Sequence, residues 1–136
     1  MAHLISYRQV IDYPTNEAGI TLLVSLAYGQ QLLSVEAKLD TGAAYCLFER
    51  RYAQRLGIEV ESGHPLRMAT LTGSFLAYGH ELTLWVLDHP FELMVYFAAD
   101  ENIHRNLLGR NWVRLTRLGV VDYDGKLFVS AYDDEL

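Results

Sequence analysis

Val35-Glu36-Ala37-Lys38-Leu39-Asp40-Thr41-Gly42-Ala43-Ala44-Tyr45-Cys46-Leu47-Phe48 is an apolar strand that runs into a short acidic loop and leaves it as a second apolar strand. An Asp-Thr-Gly loop in that setting places a carboxylate where backbone N–H groups and a threonine hydroxyl can fix its orientation. Gly42 permits backbone geometry closed to bulkier residues. Asp40 is therefore the candidate catalytic residue. The same three residue types also build ordinary turns, so the tripeptide alone leaves a purely structural loop open.

A second stretch, Asn106-Leu107-Leu108-Gly109-Arg110-Asn111-Trp112-Val113, narrows the choice. The two together resemble the retropepsin family of aspartic proteases. That family pairs an apolar-apolar-Asp-Thr-Gly-Ala loop with a later apolar-apolar-Gly-Arg-Asn/Asp step into a short helix, and this chain carries both in that order. The likeness extends over residues 20–130. It is closest to the cellular branch, similar to the retroviral-like domain of DNA-damage-inducible ubiquitin-receptor proteins, because a helix is expected soon after the catalytic loop. The resemblance implies an all-β, closed retropepsin-like barrel with a flap hairpin and one or two short helices.

Composition sets outer bounds. At 136 residues the chain accommodates one domain with one core, residues 1–136. Hydrophobic residues at 51% against 21% charged favour a folded domain over a disordered one. A net charge of −6, with Arg50-Arg51 the only adjacent basic pair, argues against nucleic-acid or anionic-membrane partners. The single cysteine, Cys46, excludes an internal disulfide and suits a reducing compartment, so the expected location is the cytoplasm. The start Met1-Ala2-His3-Leu4 lacks a signal-peptide pattern, and the apolar run 20–27 is too short to span a bilayer. The chain begins at Met1 and is expected to stand alone rather than be cut from a polyprotein.

Taken in order, residues 1–19 form an N-terminal extension or edge strand from Leu4, Ile5, Val10 and Ile11, with a turn at Pro14-Thr15-Asn16. Residues 20–27 and 31–39 make a hairpin that delivers Asp40. Residues 45–48 continue as a buried strand, followed by a helix over 49–56 that Gly57 ends. Strands at 66–70 and 75–78 are joined through Leu71, Thr72, Gly73 and Ser74. By resemblance this hairpin is the flap over substrate, with far less glycine than the viral flap; from the residues alone a plain surface hairpin is equally open. Strands at 82–86 and 91–97 flank a turn at Asp88-His89-Pro90. A helix is expected over about 111–118, ended by Gly119, then a hairpin of 120–123 and 126–130. The acidic tail, 131–136, is expected to be solvated.

Peptide hydrolysis by carboxylates needs two of them, one as base toward water and one as acid toward the carbonyl oxygen. The chain has one Asp-Thr-Gly loop and no second one; Asp124-Gly125 lacks the middle residue. The reading is thus a homodimeric aspartic endopeptidase acting on a protein or peptide substrate, its dyad built from Asp40 of each subunit. No cofactor or metal is required. The alternative is a non-catalytic dimerisation or peptide-binding module on the same fold.

The resemblance gives supporting roles. Thr41 reaches across the two-fold axis, Gly42 and Ala43 lie against substrate backbone, Gly109 passes under the catalytic loop, and Arg110 braces it. Viral relatives pair that arginine with an acid at the position of Ala44, so Arg110 needs another acceptor. Lys38 lies two residues before Asp40, hence on the same strand face, where relatives place an apolar pocket residue. An ammonium in the cleft attracts an acidic substrate side chain, whereas one turned outward only solubilises. His80-Glu81 starts a zinc-protease pattern, but Leu84 stands where the second histidine belongs. The five histidines show no ligand spacing, and Cys46 reads as a buried structural thiol.

Overall fold

The computed structural model describes residues 1–136. Ten strands and two short helices follow one another: β1 (Gln9–Asp12), β2 (Thr21–Tyr28), β3 (Gln31–Leu39), β4 (Leu47–Phe48), α1 (Arg50–Arg55), β5 (His64–Thr70), β6 (Gly73–Val86), β7 (His89–Ala98), β8 (Leu107–Leu108), α2 (Arg110–Val113), β9 (Thr116–Val121) and β10 (Lys126–Ala131). Single 3₁₀ turns lie at Val60–Ser62 and Asp122–Asp124. The domain is all-β, as the sequence indicates, and no helix is long and apolar enough to cross a membrane.

Seven strands form one sheet in the order β2-β3-β8-β4-β7-β6-β5, and β2 also pairs with β6 through Val24↔Val86 to Ala27↔Thr83. That extra pairing closes the sheet on itself and removes the β2 edge, while β5 stays paired on one side only. Alternation drives it: along β2, Leu22, Val24 and Leu26 are buried while Thr21 and Leu23 face out. The interior is filled by Trp112, Phe48, Phe97, Leu26, Leu84, Leu108 and Val95. Each such side chain contributes on the order of 1.5–3 kcal/mol of transfer free energy. A smaller cluster of Leu47, Ala77, Tyr96 and Ala98 lies apart from this core, with Leu66, Met68, Phe75, Ile103 and Leu107 packed against it. It joins the hairpin strands β5 and β6 to the strands around Asp40.

A separate three-stranded sheet, β1-β10-β9, gathers the two ends of the chain. Its edge strand β1 is Gln9–Asp12, so Val10 and Ile11 join it while Leu4 and Ile5 remain exposed outside it. The acidic tail is not simply solvated. Asp134 takes the Arg8 guanidinium at 2.5 and 2.9 Å, and the Asp134 carbonyl accepts from Arg117 at 2.5 Å.

Three local expectations need correction. The segments 75–78 and 82–86 belong to one continuous strand, β6, whose residues Ala77 to Val86 are in unbroken antiparallel register with β7. The β6–β7 turn is Leu87-Asp88, both at positive φ (53° and 64°), so His89 and Pro90 already lie in β7; two left-handed residues match the twist of a tight hairpin better than a proline turn does. The helix expected over 111–118 stops at Val113, and Gly119 sits in β9 opposite Phe128. Trp112, Leu115 and Leu118 recur at helical spacing, but the backbone of 116–121 is taken up by the ladder with β10, and tertiary pairing outweighs the local pattern.

Between α1 and β8 lies a polar knot that the sequence did not announce. Glu49 is only 6% exposed. Its N–H donates to Asn106 Oδ1 (3.1 Å), and its carboxylate accepts from Asn106 Nδ2 (2.7 Å) and faces His104 Nδ1 (3.0 Å) and Arg51 Nε (3.3 Å). Burial pushes this carboxyl up, but hydrogen bonds from His104 and Asn106 and the charges of Arg51 and His104 outweigh it, leaving the pKa below its ordinary value. A lowered folded pKa means stability present above the unfolded value, near about 4.3, and lost as pH falls through the folded one. Glu49→Gln should therefore cost roughly 1–3 kcal/mol in urea unfolding at neutral pH. The difference should shrink toward zero in acid; a penalty that stays constant with pH would show that the charge is irrelevant.

Candidate active site

Asp40 leaves β3 where neighbouring strands hold the backbone on both sides. The Leu39 N–H donates to the Ile20 carbonyl (2.8 Å), the Lys38 N–H to Asn106 (2.8 Å) and the Asp40 N–H to Leu108 (3.0 Å). Parallel pairing of β3 with β8 sets Lys38 beside Leu107 and Leu39 beside Leu108. The loop then turns on itself: the Gly42 N–H donates to Asp40 Oδ1 (2.9 Å) and the Ala43 N–H to the Asp40 carbonyl (3.2 Å). The half-buried carboxylate thus has one oxygen oriented by backbone, and this is its only side-chain hydrogen bond within the chain.

The second motif lies against this loop. Arg110 and Asn111 donate their backbone N–H groups to the carbonyls of Ala43 (2.8 Å) and Ala44 (3.1 Å). Asn111 adds a side-chain clamp that the sequence reading did not single out: Oδ1 accepts from the Cys46 N–H (2.8 Å), and Nδ2 donates to the Met94 carbonyl (2.7 Å). Its place directly after Gly109-Arg110 was the signal available for it. At Gly109 a Cβ would lie 2.3 Å from the Tyr45 oxygen and 2.4 Å from its carbonyl carbon, so only glycine lets the two backbones meet.

Cys46 lies wholly inside this junction. Its Sγ accepts from the Gly109 N–H (3.4 Å), and burial pushes the thiol up to about 12, against the backbone hydrogen bonds of Gly109 and Trp112. A thiol so placed is protonated and inert at neutral pH, which fits a structural part.

The remaining sequence-selected residues are placed as follows. Thr41, Gly42 and Arg110 are exposed and Ala43 half-buried; neither the Thr41 hydroxyl nor the Arg110 guanidinium meets a partner within the chain. Arg110 therefore holds the loop through its backbone alone within the chain. Lys38 is exposed, with its stem laid over Gly19, where a Cβ would stand 2.6 Å from Lys38 Cε. Leu71, Thr72, Gly73 and Ser74 are exposed at the tip of the β5–β6 hairpin, with the Thr72 N–H 3.4 Å from Thr70 Oγ1. Beside the loop, the Tyr45 and Tyr96 rings pack with centroids 4.9 Å apart. No three His, Cys, Asp or Glu side chains converge in a way that could hold a metal ion.

With this geometry in view, likenesses to known proteins can be placed on it. A family model described as aspartyl protease matches residues 24–112, from β2 through Trp112. Among solved structures, a retropepsin-like aspartic protease from Rickettsia conorii superposes with a TM-score of 0.64 at 17% identity, over 90% of this chain and 97% of that one. EIAV protease, complexed with the inhibitor HBY-793, gives 0.58 at 17% identity, over 75% of this chain and 91% of that one. No curated protein matches. At such identities the structural likeness concerns the fold, which is retropepsin-like.

Gly109→Ala forces a methyl group into the Tyr45 carbonyl. It should destabilise the domain by roughly 3 kcal/mol, at the upper end for overpacking, as read from thermal or urea unfolding. A variant as stable as the parent would mean that the two backbones are not in contact.

Proposed function

As the chain belongs to the aspartyl protease family, we propose that it is a homodimeric aspartic endopeptidase whose site is completed by Asp40 from each of two subunits. The observation that supports this reading is the Asp40 loop itself: one carboxylate oxygen is oriented by the Gly42 N–H (2.9 Å) and the other has no partner within the chain. A single subunit offers one such loop, while the reaction uses two carboxylates.

Paired across a two-fold axis, two such carboxylates share one proton, because two ionised groups at close range repel. The ionised member takes a proton from water as it attacks the peptide carbonyl. The protonated member donates to the oxygen on which charge develops. Thr41, exposed and unpartnered in one subunit, is placed to reach the other loop, and Gly42 and Ala43 leave room for an extended peptide to hydrogen-bond with the backbone. Leu71, Thr72, Gly73 and Ser74 close over it as the flap.

Two exposed edges are available for pairing the subunits. The terminal sheet ends in β1 and β9, where Val10, Val120 and Val121 are 55%, 46% and 44% exposed. A second copy laid along either edge satisfies open backbone groups and covers these side chains. A cytoplasmic setting accords with the lone, buried Cys46.

Wild-type protein should cleave members of a diverse peptide library with a bell-shaped pH profile, and Asp40→Asn should lower the rate by at least about 10³-fold while the fold is retained by circular dichroism. Cleavage that survives the substitution would remove Asp40 from the mechanism. Peptides held but never cut by the wild type would make the domain a binding module.

A further inference from the structure

We propose that residues 7–13 and 132–136 form an acid-labile clasp: Arg8 and Arg117 hold Asp134, and protonation of that carboxylate frees β1 and the tail from β10 while the closed barrel stays folded. The clasp is a property of one chain and does not depend on the protease reading.

Several groups hold the tail at once. Arg8 donates from Nε and Nη2 to the two Asp134 carboxylate oxygens (2.5 and 2.9 Å), and its Nη2 also reaches the Glu135 carbonyl (3.0 Å). From β9, Arg117 Nη2 donates to the Asp134 carbonyl (2.5 Å), and the Asp134 N–H donates to the Ala131 carbonyl (3.1 Å). The Arg8 N–H donates to Ser130 Oγ (2.6 Å), and Ser130 stands in register with Arg117. Asp134 therefore sits where the N-terminal segment, β9 and β10 meet. A bidentate pair inside such a network holds better than an isolated surface pair. Arg8 and Asp134 also line, with Gln9, Leu87 and His89, a crevice of about 40 Å³ between the terminal sheet and the β6–β7 turn.

The hold on β1 is rich in carboxylates. Toward its other end Asp12 pairs with Lys126, and Asp122 accepts from the Tyr13 hydroxyl (2.6 Å). Three side-chain ties of this segment thus end on acids, while Gln9 Nε2 makes a neutral one to the Leu87 carbonyl (3.0 Å). The strand itself is short, 4 residues paired on one side only, with Val10 exposed. Its apolar hold comes from Ile11 and Tyr13 on the core and from the Tyr7 ring on Phe128, centroids 5.5 Å apart. A short edge strand of this kind opens before the rest of a fold does.

The charges facing Asp134 are Arg8 before β1, Arg117 on β9 and His89 at the start of β7, with Asp133 and Glu135 beside it on the tail. Hydrogen bonds from Arg8 hold its carboxyl below the ordinary value against partial burial, and the charges of Arg8, Arg117 and His89 add to this. A lowered folded pKa gives stability present above the unfolded value, near about 3.9, and lost as pH falls through the folded one. The clasp is shut at neutral pH and opens in acid. Because β1 is one of the two edges offered above to a second copy, an open clasp takes that edge away; this consequence alone rests on the dimeric reading.

Hydrogen–deuterium exchange of the whole chain, corrected for intrinsic rates and read by mass spectrometry, compares residues 7–13 with residues 20–39. At pH 7, where Glu49 stays ionised, Asp134→Asn should lower the protection of 7–13 by about three- to tenfold and leave 20–39 unchanged. Arg8→Gln should do the same, and the double variant should lose no more than either alone. Below pH about 4 the wild type should fall to the level of Asp134→Asn. Equal protection of the two proteins at pH 7, a difference that persists in acid, or a loss shared evenly with 20–39 overturns the inference. Sedimentation of the same samples reads assembly separately: a clasp that opens as expected in a chain monomeric at every pH supports the inference and counts against the dimeric reading.

Discussion

Everything about the site depends on two stretches of backbone meeting without a side chain between them. Gly109 crosses beneath Tyr45 at a distance no Cβ tolerates. From that crossing the next two N–H groups reach Ala43 and Ala44 on the loop above. β8, one residue before, gives its Leu108 carbonyl to the Asp40 N–H. The Asp40 loop is thus held by main chain at its entry and by main chain at its exit, and its position is not left to flexible side chains. Asn111 and Cys46 fill the junction, their side chains accepting from the Cys46 and Gly109 N–H groups.

The same crossing explains how much could be read beforehand. The Asp40 loop, the Gly109 step and the β2–β3 hairpin were legible because they rest on local chemistry: an acid-Thr-Gly turn, a compulsory glycine, alternating apolar residues. The helix starting at Arg50 was legible because Gly57, at φ 78°, ends it. What was not legible depends on partners distant in sequence. Residues 116–121 carry helical spacing and become a strand because β10 is there to pair with them. Glu49 looked like the first residue of a helix, and its burial is visible only once Asn106 and His104 have folded against it. Asp134 looked like a solvated tail until Arg8, from the other end of the chain, met it.

A single chain leaves a consistent set of groups unfinished. Asp40 has one oxygen without a partner, while Thr41 and Arg110 present polar ends that find nothing within the chain. All three are in or directly against the loop. Polar groups left open elsewhere on an exterior are hydrated and unremarkable, but open groups concentrated on one loop, in a chain of the aspartyl protease family, fit a surface that a second copy completes. The terminal sheet gives such a copy somewhere to attach, and it does so with strands that are not part of the closed barrel.

Whether one site is shared between two chains is tested most directly by mixing. Wild-type and Asp40→Asn subunits are unfolded together, refolded at constant total concentration and assayed on one peptide substrate. If both subunits must supply Asp40, activity follows the square of the wild-type fraction, and an equal mixture keeps about a quarter of the wild-type rate. A site complete within one chain would instead give a linear decline and about half, and that result would contradict the account.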